Sequence, residues 1–516
     1  MNLLHASNNE RSMTTSIEGL SKRNKERFAQ YFTPLEVGEY MASLFDTNKK
    51  KKIKLLDPGA GTGNLTLSFM IKMSHWNIRP TSVHVDLYEI DLNLIDKLNE
   101  TLEECKAVCT KHKIEVTFNI INKDFIRDAK KNIKNKTYYD FIIMNPPYKK
   151  LEAYSEYDLE LRQLDIYVPN QYAAFLFIGK SLLVKNGQMV SVTPRSFCNG
   201  PYFNKFRLDL LETCSLDTLH LFEKRTDIFY DDVLQETVIM KVVKDRKQGK
   251  VNILTSKDND FSTIVSSEKK YEEIVFPTDK QKVIRIVPEV DEEIENKMKS
   301  LEFSLVDLGL NISTGPIVDF RNRDALRKER EENSYHMIYS HNIRNMDIDI
   351  NYKSNKPPYI VSTEKCANYL RDSGLYVLVN RMSSKEEPSR IKAAIFDGKK
   401  YFGDKVGFDN KINYFHMNGK EINDINLATG LWIYMNSNFV DFYFRTFSGN
   451  TQINATDLKE NIKYPNIEQL QKLGRMYNSK IFNNYTFDNL LNMCVFEDIN
   501  QKYKREQGSI RTDSKV

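Results

Sequence analysis

Across residues 53–144, short apolar runs alternate with segments whose apolar positions recur every three or four residues. Ile53–Leu56, Val83–Tyr88, Val116–Ile121 and Phe141–Met144 are β-prone and nearly all apolar, as strands covered on both faces are. Between them, Leu65, Phe69, Met70 and Met73 keep helical spacing, and so do Val37, Tyr40, Met41, Leu44 and Phe45 upstream. The alternation predicts a twisted, mostly parallel α/β sheet over about 20 to 225. Thr237–Val243 and Val251–Leu254 read as an antiparallel terminal hairpin. A charged, weakly patterned stretch follows, with a helix expected over Val290–Met298. Beyond 301, short strands such as Tyr376–Val379 and Ala393–Phe396 are broken by Gly, Asn and Lys clusters, which predicts a second, mixed α/β domain. The expected plan is a tail at 1–19, a first domain at 20–260, a linker at 261–300, a second domain at 301–500 and a tail at 501–516.

The strand ends carry the chemistry. Ile53–Leu56 runs into Asp57-Pro58-Gly59-Ala60-Gly61-Thr62-Gly63, where glycines let backbone approach a ligand and the next helix offers free N–H groups. Val83–Tyr88 ends in Glu89 and Asp91, and a carboxylate there suits both hydroxyls of a ribose. Val116–Ile121 ends before Asp124, able to accept from an amino group on a purine. Phe141–Met144 stops at Asn145-Pro146-Pro147-Tyr148, a loop stiffened by two prolines. The Asn145 oxygen and the Pro146 carbonyl make two acceptors for the two hydrogens of a planar amine, and Tyr148 offers a ring to stack on its base. Each acidic residue alone reads more readily as an ordinary helix cap, whereas four strand ends that each carry a polar group point to a site. Thr33, Pro34 and Glu36 fit N-cap, N1 and N3 of a capping box.

In this order, Tyr31-Phe32-Thr33-Pro34, Asp57 to Gly63, Glu89, Asp124-Phe125 and Asn145 to Tyr148 resemble the gamma class of DNA adenine-N6 methyltransferases. Val192 to Phe203 and Gln452 to Leu458 also look like that class. The resemblance covers roughly 20 to 470 and is greatest for the modification enzymes of type II restriction systems, the PstI and BsuBI methylases among them.

The resemblance implies a Rossmann-like, S-adenosylmethionine-dependent methyltransferase domain with a seven-stranded sheet, followed by a DNA target-recognition domain. It places S-adenosylmethionine (product S-adenosylhomocysteine) over Asp57, Gly59, Ala60, Gly61 and Gly63. The ribose would sit on Glu89 and the adenine near Ile90, Asp124 and Phe125, with Tyr31, Thr33 and Pro34 closing the methionine end and Asn145 facing the methyl group. Asn145, Pro146 and Tyr148 would hold a target adenine extruded from double-stranded DNA, with Phe203 as the second aromatic. Phe197 and Phe206 compete for that place. Candidate DNA contacts are Arg195, Asn199, Arg321, Arg381, Lys385, Asn413, His416, Asn450, Gln452 and Asn454. The expected partner is a separate restriction endonuclease, and the expected setting is prokaryotic cytoplasm. Rival readings are methylation of another planar amide or amine, on protein glutamine or RNA, and a DNA-binding subunit without chemistry.

Composition narrows this only a little. The 516 residues include 75 Lys and Arg against 70 Asp and Glu, a formal charge of +5 that leans mildly toward a polyanion. Residues 301–516 hold 30 basic and 27 acidic residues, so no basic block marks that half. Six cysteines without a Cys-x-x-Cys pair and eight histidines without ligand spacing give no expectation of metal. No apolar stretch approaches the roughly 20 residues a membrane helix needs. With about 30 residues ahead of Thr33, no amino-terminal nuclease is expected.

Overall fold

The computed structural model describes residues 33–222, 236–257, 261–277, 279–286, 292–384, 387–448, 451–480 and 485–497. Tyr31, Lys385 and Asn450 lie outside them. The chain divides into two compact units, 1–288 and 289–516.

Nine strands of the first unit form one sheet: β1 (Lys52–Pro58), β2 (Ser82–Tyr88), β3 (Glu115–Ile121), β4 (Tyr139–Met144), β5 (Leu183–Pro194), β6 (Cys214–Phe222), β7 (Thr237–Lys244), β8 (Val251–Ser256) and β9 (Ile264–Lys269). Their order is β3-β2-β1-β4-β5-β7-β6-β8-β9. The β3-to-β5 half is parallel, as the apolar runs predict. Pro58 lies opposite Tyr88, Tyr88 opposite Ile121 and Leu56 opposite Ile142, so the ends of β1 to β4 reach one edge together.

The far half corrects two expectations. The sheet has nine described strands where seven were expected, and β7 and β8 are not a hairpin. β7 runs antiparallel between β5 and β6, while β8 pairs with β6 in parallel and with β9 antiparallel. Seven of eight β7 residues are buried, and a strand covered on both faces and both sides belongs inside a sheet. Adjacency in sequence conceals this. The expected linker at 261–300 carries β9 and the helices Tyr271–Ile274 and Glu292–Ser300.

Helices cover the parallel half. Phe69, on the helix Asn64–Ser74, packs on Phe45, Trp76 and the β4 residue Phe141 at centroid separations of 5.2, 5.9 and 5.3 Å. Each such buried ring contributes about 2–3 kcal/mol. Elsewhere Phe125 joins Tyr88 to Phe175, holding the helices Phe125–Lys134 and Gln171–Ser181 at the active edge.

The second unit is mixed α/β. One antiparallel sheet is ordered Asn311–Thr314, Ile412–His416, Leu375–Asn380, Ala393–Asp397, with Tyr376, Phe408 and Tyr414 in its core. A second contains Ser334–Ile338, Tyr359–Val361 and Lys405–Phe408, and the helices Ile425–Met435, Asn438–Phe447 and Ile467–Asn478 complete the unit. Among the described residues, no helix is long and apolar enough to cross a membrane.

Candidate active site

The glycine turn closes on the ends of β1 and β2. Gly59, Gly61 and Gly63 all have positive φ, at 121°, 56° and 86°. This bends the backbone so that Gly59 and Ala60 both donate to the Tyr88 carbonyl, at 2.9 and 2.8 Å. Gly61 donates to Glu89 Oε2 at 2.8 Å, and Asp91 N–H donates to Oε1 at 2.7 Å. Burial raises the Glu89 carboxyl above its ordinary range, and these two N–H groups pull it back. The carboxylate is therefore fixed before anything binds.

Asp57 lies beneath the turn, fully buried. Thr66 donates to Oδ2 at 2.7 Å, while Oδ1 has no hydrogen-bond partner. Burial pushes the Asp57 carboxyl up to about 7, opposed by Thr66 and assisted by Glu89.

Asp124 closes the far side. Its Oδ1 caps the helix Phe125–Lys134 through Ile126 and Arg127, and Oδ2 accepts from the Tyr157 hydroxyl at 2.5 Å. Ile90, next after Glu89, is 45% exposed. Phe175 escapes notice in the sequence, where it reads as one apolar position of a buried helix. Its ring lies 5.0 Å from Phe125, and its Cε1 is 3.8 Å from where a Cβ on Gly59 would stand. Only a spatial arrangement could nominate it.

The Asn145 corner joins this turn through Thr33. Asn145 Nδ2 donates to Thr33 Oγ1 at 3.1 Å, and Asn64, the first residue after the glycines, donates to the Thr33 carbonyl at 3.2 Å. The expected capping box does not form, because the helix starts one residue later. Pro34, not Thr33, is the N-cap of the helix Leu35–Ser43, and no side chain caps it. The threonine hydroxyl serves the asparagine instead.

Tyr148 donates to Asn145 Oδ1 at 3.0 Å, with the Val192 carbonyl 3.4 Å away. Its ring meets Tyr172 edge-on at 6.3 Å, and Tyr172 stacks on Phe203 at 5.8 Å and 21°. Tyr148 and Phe203 are thus brought together through Tyr172, with their rings steeply inclined. Phe197 and Phe206 are fully buried against each other, as core residues are.

Several expected DNA contacts are interior residues. Arg195 reaches Glu236 at 3.5 Å and donates to the Ile286 carbonyl at 3.1 Å, and Asn199 is also buried. Asn413 is fully buried, donating to the Ile453 carbonyl at 2.7 Å and accepting from Thr314 at 2.9 Å. His416 bonds Ser313 at 2.9 Å and accepts from Gly419 N–H at 2.9 Å. Arg381 is half-buried and donates to the Asn410 carbonyl at 3.0 Å. Polar identity suggests all five as DNA contacts, but burial of Arg195, Asn199, Asn413 and His416 and the backbone bond of the half-buried Arg381 suit framework instead. Arg321 and Gln452 are exposed, and Asn454 is half-buried against Asp457 at 3.0 Å. Among the described residues, no group of His, Cys, Asp and Glu could hold a metal ion.

Comparison with known proteins finds relatives of this chain. The family model described as Eco57I restriction-modification methylase matches residues 64–229, the span holding Glu89, Asp124, Asn145 and Phe203. The matched span holds β2 to β6 and their strand-end loops, so this part of the sheet is similar to a restriction–modification methylase. M.BsuBI, a type II methyltransferase of Bacillus subtilis, is 39% identical over 462 residues, covering 88% of this chain and 90% of its own. M.PstI of Providencia stuartii is 36% identical over 503 residues, covering 96% and 97%. The chain belongs to this family of type II restriction–modification methyltransferases. The fold of MmeI, a type IIL restriction–modification enzyme solved with DNA, is also similar, with a TM-score of 0.52 at 11% identity over 94% of this chain and 70% of that one.

Proposed function

We propose that this protein transfers a methyl group from S-adenosylmethionine to N6 of adenine in double-stranded DNA, at sites thereby protected from a partner endonuclease. The observation that carries this reading is Thr33, which ties the Asn145 corner to the first residue after the glycine turn. An acceptor pair for an amine and a cradle for a nucleoside are thereby held side by side.

The residues fit such a cofactor. Glu89 is held in place by Gly61 and Asp91, and its remaining acceptor capacity suits a diol. Phe125 and Phe175 form an apolar wall beside the turn, suited to a purine face. The unpartnered Asp57 Oδ1 suits the cationic amino end of an amino acid. When bound, the cofactor supplies an electrophilic methyl group on a sulfonium.

This chain's residues provide position and polarity. On entry, the adenine N6–H takes the place of the Tyr148 hydroxyl on Asn145 Oδ1, and the phenol turns to the Val192 carbonyl. The Pro146 carbonyl accepts the second hydrogen. Both bonds draw lone-pair density back to N6, and Thr33 keeps the Asn145 amide from rotating. The alkylated nitrogen is acidic and loses its proton to water, so no side chain need act as a strong base. Tyr148 stacks on the base and Phe203 closes against its edge.

Residues 289–516 serve target recognition in this reading, with Arg321, Gln452 and Asn454 as DNA contacts. Sequencing that detects methylated adenine in DNA from cells expressing the protein tests the proposal. Modified adenine in one sequence context is expected. Label transferred from the methyl donor to cell protein or RNA, but never to DNA, would overturn it.

A further inference from the structure

Two adjacent aromatic residues on the loop after β5 face opposite ways. Phe203 turns inward onto Tyr172, whereas Tyr202 is 81% exposed. No other large apolar or aromatic side chain among the described residues is more exposed.

The loop is braced from beneath. Arg207, itself fully buried, donates through Nη1 to the carbonyls of Phe197 and Gly200 at 2.9 and 2.7 Å, and through Nε to that of Gln281 at 3.0 Å. Gly200 donates back to the Ser196 carbonyl at 3.0 Å, and Phe203 to the Gly200 carbonyl at 3.1 Å. A Cβ on Gly200 would stand 2.8 Å from the Phe203 ring, so the turn admits only glycine without displacing that ring. A buried guanidinium spent on backbone carbonyls is a costly way to fix a surface loop unless the loop's orientation matters. Here the orientation presents one bare ring at the sheet edge that carries Asn145. Tyr148 reaches the Val192 carbonyl only two residues before Pro194, where β5 ends.

We propose that Tyr202 enters the duplex where the target adenine departs and stacks on the base pairs left on either side. The inference rests on the proposed adenine methylation and adds a residue to it. Extrusion breaks stacking on both faces of the departing base, and any base offers a π-face to an inserted aromatic ring. Tyr202 is a positioning residue, since it touches the duplex and not the reacting atoms.

The test uses the full-length protein and a duplex carrying the methylated site once that site is mapped. Transfer rates are measured for the natural protein, Tyr202→Ala and Tyr202→Phe. A second duplex has an abasic site opposite the target adenine, so that extrusion is no longer opposed by pairing. A third has 2-aminopurine at the target, read by fluorescence without cofactor. Tyr202→Ala should methylate the paired duplex about tenfold more slowly, match the natural protein on the abasic duplex, and give a weaker 2-aminopurine signal. Tyr202→Phe should behave as the natural protein. Equal rates for Tyr202→Ala on the paired duplex overturn the inference, as does equal slowing on both duplexes. If the natural protein methylates no adenine in any duplex, the proposed function itself has failed, an outcome these arms separate.

Discussion

Thr33 Oγ1 accepts the side-chain N–H of Asn145 at 3.1 Å, so the amide stands with its oxygen turned the other way, toward Tyr148. Replacing Thr33 with Val removes the acceptor while keeping the shape. The amide is then held from one side only, and turnover should fall about tenfold, the equivalent of one hydrogen bond of roughly 1–1.5 kcal/mol. Thr33→Ser should retain most activity. Transfer rates at saturating cofactor and DNA decide the matter.

Asn145→Ala removes the acceptor itself. Loss of one preorganised group at the reacting atom costs about 10²–10³ in rate, and cofactor affinity should stay within about threefold because Glu89 and the glycine turn are untouched. Equilibrium binding of labelled cofactor, set beside single-turnover transfer, separates the two effects.

Gly63 has φ 86°, and a Cβ there would lie 2.9 Å from Leu98 Cδ1 and 3.1 Å from Thr101 Cγ2. Gly63→Ala should therefore destabilise the first unit by about 1–3 kcal/mol and weaken cofactor binding. Urea unfolding and a cofactor titration report the two consequences.

Asp57 makes stability depend on pH. Burial raises its carboxyl from the ordinary 3.8 to about 7, so the folded protein keeps a proton there that the unfolded chain releases near pH 4. Stability from this group is complete below pH 4, declines as pH rises from about 4 to 7, and is level above. At about 1.4 kcal/mol per pH unit, the loss is on the order of a few kcal/mol. Asp57→Asn should remove the slope. Urea midpoints between pH 5 and pH 8 for both proteins are the measurement.

Asn413→Ala should destabilise by about 1–3 kcal/mol, since Thr314 and the Ile453 carbonyl lose a buried partner. It should leave the methylated sequence context unchanged. Methylation mapping and urea unfolding of this variant distinguish a framework residue from a DNA reader.

The parallel half of the sheet was legible because each of its strands is an apolar run that ends in a turn. The glycine turn, Glu89 and Asn145 were legible for the same reason, as strand ends share an edge once the order is known. The insertion of β7 between β5 and β6 was not, because pairing partners distant in sequence leave no periodicity. Asn413 and His416 misled because a side chain's polarity says nothing about whether its bonds are made inside the protein. Phe175 was missed because one ring in an apolar helix looks like any other. Thr33 precedes the N-cap instead of forming it, which leaves its hydroxyl to Asn145.

On the proposed function, the Glu89 carboxylate, clasped by Gly61 and Asp91 before any ligand arrives, gives the pocket a discriminating half and a permissive half. Nucleosides stripped of their sugar hydroxyls would confront a rigid, desolvated anion with nothing to offer it. Donors bearing an enlarged alkyl group in place of methyl would meet the same sugar grip unchanged, and their acceptance would be decided only at the Asn145 end.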